Sequence, residues 1–348
     1  MKMNVTVILA ACLLGIAPSA HAKSNQSNGS HIVSLEAAIV RTLNEAPEIR
    51  AGAEMFSAAA TNAWQARVRP NPEFEFELED FGGDGAFAGT DAAEYTYSLS
   101  QQIEIGGKRN ARKAVAASGI SVARNKQAVD RLDLIQRVQV AYIQVQAAKV
   151  TFDTATGAAR GASEIAEIVG KRVDRARDPV AARQRAILEA LDMQMNADQA
   201  GWRLNAAKQQ LASLWNDPER DFEVDAAKFY RVSAAHQPRN ENQPPDLALL
   251  VASQAQADAA ADLARARAWQ DPTVGVGVRH FNQSGDVAGL VSLSIPLAVW
   301  DSNRAGIARA NAELRAVEWN VARAERDYEI GVSALTQSLD GARATFHS

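Results

Sequence analysis

Few side chains in this 348-residue chain could do chemistry, and their spacing narrows the kind. Beyond the first 22 residues, histidine occurs at His31, His236, His280 and His347. No two of these stand at the i,i+4 spacing that brings ligands to one helix face, and no cysteine lies near them. Each reads as a surface or loop histidine, so no metal site is expected. No P-loop, dinucleotide fingerprint or nucleophile elbow occurs, and nothing argues for catalysis or a cofactor. Two charged groupings remain. Glu75, Glu77 and Glu79 recur at every second position, and Arg172, Asp174, Arg175, Arg177 and Asp178 crowd together just before Pro179. The chemistry open to both is electrostatic: a row of carboxylates favours cations, and a charged turn can dock a partner or form salt bridges. Taken alone, the first also fits the solvated edge of an ordinary sheet and the second a solvated helix reversal.

The glutamates belong to a stretch that occurs twice. Pro72 is followed by Glu73-Phe74-Glu75-Phe76-Glu77-Leu78-Glu79, an apolar/charged alternation that predicts a strand with two opposite faces. A turn with Gly82, Gly83, Gly85 and Gly89 leads to a second strand from Glu94 through Ile103 and Ile105. Then Gly106-Gly107-Lys108-Arg109 opens a helical pattern. About two hundred residues later the order returns. Asp271-Pro272, a strand from Thr273 to Phe281, Gly285, a strand from Ala288 to Val299 containing Pro296, and Trp300-Asp301-Ser302-Asn303-Arg304 precede another helix.

No proline falls between Pro72 and Pro179. A helix from Arg109 to near Gly170 would be roughly 90 Å long. Val115, Val122 and Val129, continued by Leu132, Ile135, Val138, Tyr142 and Val145, give it a heptad-like seam. The charged residues 172–179 reverse the chain into a second helix from Val180 to about Trp215. Ser34 caps an earlier helix, broken near Pro47, and Asp246 a later one to about Ala268. The expected organisation is a signal peptide over 1–22, a flexible lead-in over 23–33, a first repeat over 34–220, a linker over 221–244 with a strand-like piece at Phe222 to Val224, and a second repeat over 245–348. Mapped back by the repeat offset, Ser348 falls near Asp153, so the second unit reads as C-terminally truncated.

Met1-Lys2, an apolar run from Val5 to Ala17 and Ala20-His21-Ala22 match a secretory signal cut after Ala22. The alternative is a lipid anchor through Cys12. The formal charge of −4 offers no electrostatic case for nucleic acid. Four two-faced strands cannot close in a membrane without open edges. If they face lipid, several copies must share one barrel, with Phe74, Phe76 and Leu78 outward and the three glutamates lining a wet lumen.

The chain resembles the TolC-type outer-membrane efflux proteins. The likeness rests on Ser34-Leu35-Glu36-Ala37-Ala38-Ile39 with Ala46-Pro47-Glu48-Ile49, on Pro245-Asp246-Leu247, on Asn71-Pro72 opposite Asp271-Pro272, and on the strand-to-helix junctions. Gln101-Gln102-Ile103-Glu104-Ile105-Gly106-Gly107-Lys108-Arg109 is similar to the junction in the cobalt–zinc–cadmium resistance branch, the CzcC-like proteins. Pro296 before Trp300-Asp301 suits the second junction.

The resemblance implies a mainly α fold with a β-barrel portion. It would be a homotrimer with a 12-stranded barrel in outer-membrane lipid, continued by a periplasmic α-helical barrel. It further implies a passive exit duct, without cofactor, coupled through a periplasmic membrane-fusion adaptor to an inner-membrane resistance-nodulation-division pump for heavy-metal cations. Residues 172–179 would form the periplasmic tip, where family members often carry glycine and this chain has Ala176. A duct for drugs or other organic compounds, and a non-channel periplasmic coiled-coil protein, remain as alternatives.

Overall fold

The computed structural model describes residues 31–215, 222–227, 229 and 244–347. The signal peptide with Cys12, the lead-in through residue 30, His236 and most of the linker lie outside the described residues, as do the side chains of His31 and His347.

One helix serves as the spine. α3 (Lys108–Asp174) has 67 residues, which at 1.5 Å each makes it about 100 Å long. It packs against α1 (Leu35–Glu45), α2 (Pro47–Gln65), α4 (Val180–Ser213) and α5 (Pro245–Ala266), while α6 (Arg304–His347) lies along α5. Local chemistry sets the ends. The Ser34 hydroxyl accepts the Ala37 N–H at 3.1 Å to cap α1, and Pro47 begins α2 where no intrahelical donor is needed. Alanine permits close approach: Ala261 and Ala264 of α5 meet Ala310 of α6 in a small buried cluster. Among the described residues no helix is long and apolar enough to cross a membrane.

The main core sits where α3 and α4 pass a small two-stranded sheet. Val138, Ala141, Tyr142 and Val145 of α3 and Leu204, Leu211 and Ala212 of α4 enclose Trp215, Phe222 and Val224. β1 (His31–Val33) pairs in parallel with β4 (Phe222–Val224). This corrects the flexible lead-in at its last three residues. Val33 packs into the core, and its carbonyl accepts the buried Tyr142 hydroxyl at 2.9 Å. Burial also pushes the Tyr142 phenol above its usual range.

The second sheet is antiparallel throughout, in the order β2 (Glu73–Glu79), β3 (Glu94–Gln102), β5 (Thr273–Phe281), β6 (Val287–Ser294). The β2–β3 and β5–β6 hairpins therefore join through their inner strands β3 and β5. Both strands expected to run further stop early: β3 ends at Gln102 rather than Ile105, and β6 at Ser294 rather than Val299. Beyond Gln102 the Ile103 N–H reaches the Pro272 carbonyl at 2.8 Å, and the Ile105 N–H turns to the Asp271 side chain instead of a backbone carbonyl.

Removing the Tyr142 hydroxyl tests how β1 is held. Tyr142→Phe leaves the buried Val33 carbonyl without that donor and should lower the unfolding free energy by about 1–3 kcal/mol. Denaturant unfolding would measure it, and an unchanged midpoint would mean β1 is not docked there.

Candidate functional site

The pairing register sorts the sheet into two faces. On one lie Phe74, Phe76 and Leu78, beside Tyr95, Tyr97 and Leu99, then Val274, Val276 and Val278, and finally Val287, Val291 and Leu293. The Phe76 and Tyr97 rings are 5.1 Å apart. Phe74 is 70% exposed, Val276 61% and Val291 86%, so among the described residues nothing covers the apolar face. On the other face lie Glu73, Glu75, Glu77 and Glu79, then Glu94, Thr96, Ser98 and Ser100, then Gly275, Gly277, Arg279 and Phe281, and on β6 Ala288, Leu290 and Ser292, so the polar character is concentrated on β2 and β3.

Two glycines on the polar face leave no room for a side chain. A Cβ on Gly275 would meet Ser292 Oγ at 2.5 Å, and one on Gly277 would meet the Tyr97 carbonyl at 2.7 Å. Gly289, on the apolar face, has nothing within 4 Å. Gly275 and Gly277 thus mark places where neighbouring strands approach closely on the polar face.

All three expected lining residues stand on the polar face, but they differ. The Glu79 carboxylate lies 2.8 Å from the Arg279 guanidinium, Glu75 takes a 3.5 Å contact from the Ser98 hydroxyl, and Glu77 has no ion pair among the described residues. Arg279 and Glu94 went unnoticed in the sequence, since only the register β3–β5 brings them together. His280, on the apolar face, stacks with Tyr95 at 6.3 Å. Among the described residues no group of three or more His, Cys, Asp or Glu could hold a metal ion.

At the strand-to-helix junction Gly106 and Gly107 have φ of +68° and +76°. The Gly106 backbone sits against Trp269, whose ring carbons would be 2.6 Å from an added Cβ. Asp271 ties the two repeats: its carboxylate accepts the Ile105 N–H at 2.9 Å and the Lys108 ammonium at 2.8 Å. Arg109 donates to the Arg67 carbonyl at 2.8 Å, and Arg112 to the Val68 carbonyl at 3.1 Å. Arg112 also forks onto Glu104, whose hydrogen bonds hold the guanidinium above its usual range. Asp271, Glu104, Arg112 and Trp269 thus join the expected Gly106, Gly107, Lys108 and Arg109. The second junction is looser. Pro296 lies exposed beyond β6, and the Asp301 carboxylate accepts the Asn303 N–H at 2.9 Å.

At the far end, α3 closes in a Schellman turn. The Arg177 N–H donates to the Arg172 carbonyl and the Ala176 N–H to the Val173 carbonyl, each at 2.9 Å. Ala176 takes the left-handed position with φ +55°. Arg172 clasps Asp178 at 2.6 and 2.9 Å, holding its carboxyl below the usual aspartate range. Asp174 pairs with Arg183, a residue the sequence reading missed. Arg175 and Arg177 have no ion pair among the described residues.

A two-faced sheet with open edges, carried on a helix of about 100 Å, is the architecture of an outer-membrane channel protomer. The chain belongs to the outer membrane efflux protein family, whose match spans residues 38–217. It is 26% identical over 283 residues to the cobalt-zinc-cadmium resistance protein CzcC of Cupriavidus metallidurans, covering 79% of this chain and 65% of the relative. The nickel and cobalt resistance protein CnrC of the same organism is 30% identical over 296 residues, or 81% of this chain and 70% of the relative. The chain thus spans about two thirds of the length of these relatives. The crystal structure of CusC shares the fold, with a TM-score of 0.68 at 16% identity over 92% of this chain and 81% of that one.

Two substitutions test the backbone readings. Gly106→Ala should destabilise by about 1–3 kcal/mol in denaturant unfolding, and adding Trp269→Ala should recover the steric share but not the left-handed strain. Ala176→Gly should instead stabilise the tip by about 0.5–1 kcal/mol, read as slower exchange of the Arg177 amide. Unchanged exchange would mean residue 176 is not left-handed.

Proposed function

We propose that this chain is the outer-membrane exit duct of a tripartite pump that exports heavy-metal cations. The observation that carries the reading is the four-stranded sheet, apolar on one face and acidic on the other, whose outer strands β2 and β6 have no further partner among the described residues. In lipid those edges must be paired, so copies of the chain close a shared barrel, and three copies make the 12 strands expected for the family. The apolar face meets lipid and the glutamates line the water-filled bore. The helices continue the bore into the periplasm.

The duct moves its cargo passively and needs no cofactor. The tip at residues 172–179 meets a periplasmic adaptor. Arg172–Asp178 and Asp174–Arg183 hold the turn, leaving Arg175 and Arg177 for acidic groups on that partner. The adaptor links the duct to an inner-membrane resistance-nodulation-division pump. A cation cargo is supported by the acidic face, because several carboxylates in a narrow aqueous bore raise the local concentration of positive ions. It is supported also by the printed functions of the similar proteins, resistance to cobalt, zinc and cadmium and to nickel and cobalt.

Loss of the chain should lower survival on zinc, cadmium, cobalt or nickel and leave antibiotic tolerance unchanged. The reverse pattern would assign the duct to organic compounds. In a planar bilayer, joint replacement of Glu75, Glu77 and Glu79 by glutamine should reduce the preference for cations over anions. An unaltered preference would remove these residues from the bore.

A further inference from the structure

The charge on the polar face is graded along the strands. Of its strand residues, Glu73, Glu75, Glu77, Glu79 and Glu94 are acidic and Arg279 alone is basic. Arg279 turns all three donor nitrogens to its own sheet. Its Nη2 lies 2.8 Å from Glu79, its Nη1 2.8 Å from Glu94, and its Nε donates to the Thr96 hydroxyl at 2.8 Å. These partners occupy the end of the strands beside the hairpin loops 80–93 and 282–286, remote from the helices. Toward the helices, Glu73, Glu75 and Glu77 are exposed and have no ion pair among the described residues. Their cross-strand neighbours are Ser100, Ser98 and Thr96, too short and too weakly polar to cancel a charge.

We propose that Arg279 is a specificity-determining residue of the duct: it ends the acidic stripe before the loop-side mouth. The inference rests on the exit-duct reading above. Cations are then attracted most strongly in the helix-side half of the barrel and only weakly at the loop side. A conducting path needs such a profile, favourable enough for entry and weak enough for release. Without Arg279, Glu79 and Glu94 are uncovered, and the stripe continues to the mouth.

The test measures the cation-to-anion permeability ratio from reversal potentials of the full chain in planar bilayers under a potassium chloride gradient. At about 0.1 M, where charges act over about 10 Å, Arg279→Gln should raise the ratio at least about twofold. Arg279→Lys should leave it at the wild-type value, because the charge is kept. The double variant Glu79→Gln, Glu94→Gln should lower it. Near 1 M salt, where the screening length is about 3 Å, these differences should collapse. Conductance with the same ratio in wild type and Arg279→Gln overturns the inference alone, as do equal shifts in the lysine and glutamine variants, which mark a structural role. If Arg279→Gln fails to assemble, the double glutamate variant decides, and an unchanged ratio there overturns the inference. A wild-type chain that forms no conductance overturns the duct reading and the inference with it.

Discussion

An antiparallel sheet pairs its inner backbone groups and leaves a row of N–H and C=O groups open on each outer strand. In water those groups find partners, whereas in hydrocarbon each unpaired group costs several kcal/mol. β2 and β6 present such rows here, on a sheet whose other hallmark is a bare face of Phe, Tyr, Leu and Val. The two features point to the same solvent. A face this apolar belongs in lipid, and an edge this open cannot stay there alone, so in the proposed duct the isolated chain would be a sector of a larger closed wall.

The helical part obeys a different constraint. A helix of some 100 Å is held by contacts spread along its length, and α3 has them from α1, α2, α4 and α5. Its one dense core lies midway, around Trp215 and the β1–β4 pair, where the linker between the repeats comes back to the helices. The ends are fixed by polar chemistry instead. At the sheet end, Asp271 receives a backbone N–H and an ammonium from the other repeat, and at the tip two arginine–aspartate pairs hold a tight reversal.

What the sequence revealed was what local periodicity controls. The Glu/Phe alternation of β2 placed Glu75, Glu77 and Glu79 on one face, and the absence of proline before Pro179 marked α3 to within one residue at its start and four at its end. Long-range pairing stayed hidden. Arg279 shows no relation to Glu79 and Glu94 until β5 is set against β3, and Arg183 none to Asp174 until the turn is closed. β1 was missed because three residues after a Ser/Asn/Gly-rich stretch carry no strand signal of their own; β4, far along the chain, makes them a strand. Residue 176 was seen to lack the family's usual glycine, but that an alanine would still take the left-handed position is a matter of the whole turn, with Arg172 and Asp178 clamped beside it.

The meeting of the repeats through β3 and β5 also governs the order in which the chain can fold. Ser98 faces Gly277 across the central ladder, so the sheet cannot be completed until the chain through α3, α4 and α5 has been made. Contacts of such sequence separation form slowly. The β2–β3 hairpin must therefore wait with its phenylalanines uncovered. Its four glutamates supply like-charge repulsion during that interval, which opposes premature edge-to-edge association between newly exported chains. In the proposed duct, the acidic row that favours cations in the finished wall would thus also guard its precursor against aggregation.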